Sequence, residues 1–121
     1  RFFAKHPPLD LGKIKVSFNI DLIGSGSDGI SVVNGKVFEK RLNTLVTINQ
    51  ENDYVAKVKK RGTSNNSDHY PLYAKDVPAF FIYTMGDEYT EYHNPDDKPE
   101  DLPLTAYEGL FKLMRDYVKS L

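Results

Sequence analysis

A few side chains have types and spacing that reach beyond packing. Asp21 closes an alternating apolar segment, Ser67-Asp68-His69 stands in a polar stretch, and His93 is followed by Asp96 and Asp97. A carboxylate and an imidazole that converge can ligate zinc. Asp96 or Asp97 could then accept from the other ring nitrogen and orient it. The same residue types also serve as an aspartate cap and a surface histidine, and spacing does not choose between the readings. Asp68 beside His69 could orient a ring or contact a substrate, or form an Asx turn. The sequence has no cysteine, which excludes a thiolate nucleophile, a disulfide framework and Cys-ligated zinc. Gly24, Gly26 and Gly29 match G-x-G-x-x-G, but the following Ile-Ser-Val-Val-Asn-Gly reads as strand and turn. A dinucleotide fingerprint needs a helix there and an acidic residue about 20 positions on. No G-K-[ST] follows either, so a P-loop is excluded. Lys57–Arg61 is a short basic run that suits a solvated strand edge.

Elements of ordinary globular composition must position these groups. The 121 residues are 40% apolar and 27% charged, with 16 basic and 17 acidic side chains. That balance does not suit a nucleic-acid backbone or an anionic membrane as the main partner. No apolar run approaches the roughly 18 residues of a membrane span. Lys13–Ile23 alternates Ile14, Val16, Phe18, Ile20 and Leu22 with polar residues, which predicts a strand with one apolar face ending at Asp21. Ile30–Val33 reads as a short strand before the Asn34-Gly35 turn, pairing with Lys36–Phe38. Phe38–Gln50 reads as an amphipathic helix ended by Asn52-Asp53, and Val55–Lys59 as a short edge strand. Val77–Thr84 is nearly all apolar and predicts a central strand with Pro78 at its start. The long 85–103 loop carries His93, and loops of that length are commonly functional. Thr105–Leu121 reads as a helix with Thr105 and Glu108 at capping-box spacing and a buried stripe from Ala106 to Leu121. Strands alternating with helices give an α/β class with a mixed, mostly parallel sheet and flanking helices.

Several stretches together resemble the C-terminal half of the co-catalytic zinc aminopeptidases. That family covers secreted bacterial leucine aminopeptidases, glutamate-carboxypeptidase-like enzymes and glutaminyl cyclases. Phe18-Asn19-Ile20-Asp21-Leu22-Ile23-Gly24 is similar to its Asn-x-Asp-Met-Ile-Gly strand end. Ser67-Asp68-His69-Tyr70-Pro71-Leu72-Tyr73 resembles its Ser-Asp-His-x-Pro-Phe turn, and Asp76-Val77-Pro78-Ala79-Phe80 its Gly-Ile-Pro-Ala segment. Tyr92-His93-Asn94-Pro95-Asp96-Asp97 resembles its Tyr-His-Thr-Pro-x-Asp loop. The likeness runs from Lys13 to Leu121 in the family's order.

The resemblance implies that Asp21 ligates one zinc and His93 another. It places Asp97 in support, Asp68 and His69 near the substrate pocket, and Tyr92 beside the metal. The family's His-x-Asp motif, its bridging aspartate and its Glu-Glu pair, which includes the general base, are not in this sequence. Residues 1–121 are thus expected to be the C-terminal half of a zinc peptidase domain, with 1–12 a linker or the end of a preceding helix. The complete domain is expected to hold two zincs and hydrolyse N-terminal peptide bonds. This chain alone has no catalytic residue of its own and is expected to bind zinc weakly or not at all and to be inactive. Its expected partners are a peptide substrate and the missing half or another copy covering the sheet. The location expected from the resemblance is secreted or periplasmic. A non-catalytic interaction domain of the same fold is the alternative. A glutaminyl-cyclase-like acyl transferase ranks lower, since Tyr92 stands where a tryptophan would be expected.

Overall fold

The computed structural model describes residues 1–91 and 93–121. Short helix α1 (Phe2–Lys5) precedes strand β1 (Ser17–Ile20). Strand β2 (Gly29–Val33), helix α2 (Glu39–Asn52) and strand β3 (Val58–Lys60) follow. Helix α3 (Tyr70–Tyr73), strand β4 (Ala79–Met85) and helix α4 (Tyr107–Lys119) complete the order. The four strands form one sheet in the order β1-β4-β2-β3. β1 runs parallel to β4 and β2 parallel to β3, while β2 and β4 are antiparallel. The sheet is therefore mixed and mostly parallel, as the patterning predicts.

Period-two alternation divides the central strand between two faces. Phe80 and Ile82 of β4 join Ile30 and Val32 of β2 in the core, against Leu42 and Leu45 of α2 and Leu110, Leu113 and Tyr117 of α4. Phe18 of β1 stacks on Phe80 and meets Tyr117 edge-on. Phe81 takes the other face, where the ring of His69 lies on it.

Several local expectations need correction. β1 is far shorter than Lys13–Ile23, and its alternating face does not stay buried: Ile20 is 42% and Leu22 43% exposed. Leu22 adopts φ +53°, which takes the chain out of the strand just after Asp21. Asn34-Gly35 makes no hairpin. The buried Asn34 side-chain Nδ2 donates to the Ala79 carbonyl at 2.8 Å, and the Asn34 backbone carbonyl accepts from the Val37 and Phe38 amides. The chain thus turns into α2, and β2 pairs with β3 and β4. The strand expected at Val55–Lys59 starts later, because Asn49 Nδ2 donates to the Val55 carbonyl and its Oδ1 accepts from the Val55 amide, both at 2.9 Å. α4 is capped at Ala106 with no side-chain bond, so Thr105 closes no capping box. Leu121 is 41% exposed and leaves the buried stripe.

Candidate functional site

Asp21 follows the last residue of β1, and its amide donates to the Ile82 carbonyl of β4 at 3.1 Å. β1 and β4 are parallel neighbours, so the loop after β4 leaves from the same sheet end. Ligands of open α/β sheets gather at that carboxyl end. The Asp21 carboxylate is exposed and accepts from the Leu22 amide at 2.8 Å. Leu22 in the left-handed region is unusual for a non-glycine residue. Thr84 holds it there: the Thr84 hydroxyl donates to the Leu22 carbonyl at 2.9 Å, and its amide donates to the same oxygen at 3.2 Å.

A cavity of about 410 Å³ opens at this end. Asp21 and Asp97 give it carboxylates, Tyr83 and Tyr89 aromatic walls, and Leu102 and Leu104 apolar ones. The Tyr89 hydroxyl donates to Asp97 Oδ1 at 2.5 Å, and that bond raises the tyrosine's pKa above its ordinary value. Leu104 also has positive φ, with its amide on the Gly24 carbonyl at 2.9 Å. Strained backbone thus occurs on both sides of the cavity, as is common where structure serves a function.

His93 is exposed, with φ +62°, in a loop that Asn94 organises. Asn94 Nδ2 donates to Glu91 at 2.6 Å, and its Oδ1 accepts from the Asp96 amide at 2.9 Å. Asp21 and Asp97 share the cavity. Asp68 does not line it: it is exposed in a separate hollow with Arg1, Ser67 and Tyr70. His69 is buried beside that hollow, and Tyr92 lies outside the described residues. Thr84, Tyr89 and Leu104 were not singled out from the sequence. Their part comes from contacts across the fold, which residue type alone does not signal.

The glycine triplet is structural. Space for a side chain at Gly24 is taken by Leu102, at Gly26 by Ala106 and at Gly29 by the Lys57 backbone. No helix follows it, and β2 does.

Zinc takes about three or four protein donors. Among the described residues, no three histidine, aspartate or glutamate side chains come together to hold a metal ion. The donors present do not by themselves fit a zinc site.

The α/β fold is shared with a zinc aminopeptidase. The structure superposes on BSAP, a zinc aminopeptidase from Bacillus subtilis, with a TM-score of 0.74 and 17% sequence identity. The match covers 98% of this chain and 31% of that one. No curated protein matches the sequence. Residues 1–118 match Peptidase family M28, and the chain belongs to that family.

Proposed function

We propose that this chain is the carboxyl-terminal part of a zinc-dependent aminopeptidase domain hydrolysing N-terminal peptide bonds. The observation that carries this reading is Asp21 at the end of β1, beside a cavity bounded by the loop that bears His93, in a chain of Peptidase family M28. Asp21 would give one donor to one zinc and His93 one donor to the other, the remaining ligands coming from outside these residues. Zinc would polarise the scissile carbonyl and lower the pKa of water. The chain's own residues would shape the site. Leu102 and Leu104 exclude water from the cavity wall, and the Tyr89–Asp97 bond fixes the Asp97 carboxylate. The general base would be a glutamate supplied from elsewhere in the protein. The remainder of that domain, or another copy, would cover the exposed Ile20 and Leu22. Secretion or a periplasmic location belongs to the same proposal.

The test is zinc content and release of N-terminal residues by the intact protein and its Asp21→Ala and His93→Ala variants. Both variants are expected to lose at least about 100-fold in turnover, beyond the 10–100-fold that an outer partner of a ligand costs. Unchanged turnover in both overturns the reading.

A further inference from the structure

Within the segment 61–76, His69 is the most deeply buried side chain, and it meets the sheet face that Phe81 presents. His69 is 1% exposed, and among the described residues neither ring nitrogen has a hydrogen-bond partner. Its ring lies on Phe81 of β4 with centroids 5.7 Å apart and planes 22° from parallel. A neutral imidazole offers one donor and one acceptor, and each orphaned buried group costs about 1–3 kcal/mol. The imidazolium would bring a further donor and a full charge into the same dry place.

Among the described residues, no charged side chain compensates for it. Phe81 presents an apolar ring, and the Asn19 amide of β1 is committed to Ser67 Oγ at 2.6 Å. Tyr83, the next outward residue of β4, is engaged by Arg61 Nη1 at 2.6 Å. Asp68 and Tyr70, which flank His69 in sequence, are exposed. Burial holds the His69 imidazole below its ordinary pKa, and the nearby Ser64 backbone opposes this without overcoming it. The segment is also anchored by Asn19–Ser67, by Arg61 on Tyr83 and by the edge-on contact of Tyr73 with Phe38.

We propose that His69 is an acid-sensitive latch, and that its protonation releases the Ser67–Asp68–His69 turn from the sheet. The closed state accepts the neutral ring and the released state accepts either form. A ring whose pKa is lowered in the closed state stabilises that state fully above the ordinary value of 6.5. The stabilisation is lost as the pH falls below that value, by up to about tenfold per unit for one proton. The latch does not depend on peptidase activity.

Hydrogen exchange of the intact protein tests it. The Tyr73 and Ala74 amides, which donate to the His69 and Tyr70 carbonyls, report opening, and the Ile82 amide in β4 is the reference. Opening at Tyr73 and Ala74, corrected for intrinsic rates, is expected to rise by up to about 30-fold from pH 7.5 to 5.0 while Ile82 stays protected. His69→Phe keeps the stacked ring and removes the titration, so its opening should be independent of pH. Protection that does not change with pH in the unmodified protein overturns the latch, and so does an unchanged dependence in His69→Phe. If His69→Phe does not fold, His69→Gln carries the same test.

Discussion

The Glu88 carboxylate ties the Gly24–Gly29 loop to the loop after β4. It accepts from the Ser27 hydroxyl at 2.5 Å and the Ser27 amide at 2.9 Å. Burial alone would push this carboxyl up. The Ser27 hydroxyl, the Glu88 and Ser27 amides and the Thr105 hydroxyl outweigh it and hold the pKa down to about 2. A carboxyl lowered in the folded state stabilises the fold above its ordinary 4.5, and that contribution is lost as the pH falls from 4.5 towards about 2. Glu88→Gln is therefore expected to weaken the acid dependence of the melting temperature across that window. Thermal denaturation of both proteins between pH 6 and 2 checks it, and parallel curves would refute it. A side chain at Gly86 would meet Glu88 and Ser27 Oγ, so that one of the two would have to shift. At this scale the sequence shows Asp21, since a carboxylate ending an alternating segment is a local pattern. It shows neither the Ser27–Glu88 link, whose partners lie 61 positions apart, nor the burial of His69.

α4 and β4 are legible as elements because their patterns are long and regular. α4 buries Leu110, Leu113, Met114 and Tyr117 at helical spacing, and β4 buries Ala79 through Ile82 without interruption. The bounds of β1 and β3 differ from the pattern because alternation extends beyond the residues that pair: Leu22 turns away after β1 at φ +53°, and Asn49 holds Val55 out of the ladder before β3. Gly109 shows how packing overrides propensity. Alanine in a helix is favoured over glycine by up to about 1 kcal/mol. A Cβ at Gly109, however, would be driven onto the Tyr54 carbonyl oxygen where α4 crosses the end of α2. Gly109→Ala is thus expected to cost about 1–3 kcal/mol, as overpacking does. Urea denaturation measures this, and a stabilised variant would show that the crossing yields freely.

For the whole molecule, the edges of the sheet differ. β3 exposes Lys59 and Lys60, which guard an edge against pairing, whereas β1 leaves Ile20 exposed beside Leu22. α4 likewise turns Phe111, 63% exposed, and Val118, 55% exposed, away from the core. On the proposed reading, Asp21 and His93 offer donors that need others to complete a metal site. After dialysis, this chain alone is expected to retain no zinc, and the intact protein about two ions, as a two-metal site does. Elemental analysis of both decides it. Stoichiometric zinc on this chain alone would mean that a second copy completes the site.

The sequence by itself determined the α/β class, the central strand, the two long helices and the motif residues at the strand ends. Each of these rests on period, turn chemistry or a short contiguous pattern. Only the tertiary structure decided the strand order, the cavity shared by Asp21 and Asp97, the clamp of Thr84 on Leu22 and the unpaired burial of His69. These are contacts between residues far apart in the chain, fixed by packing and by the pairing of buried polar groups, and no local pattern encodes them.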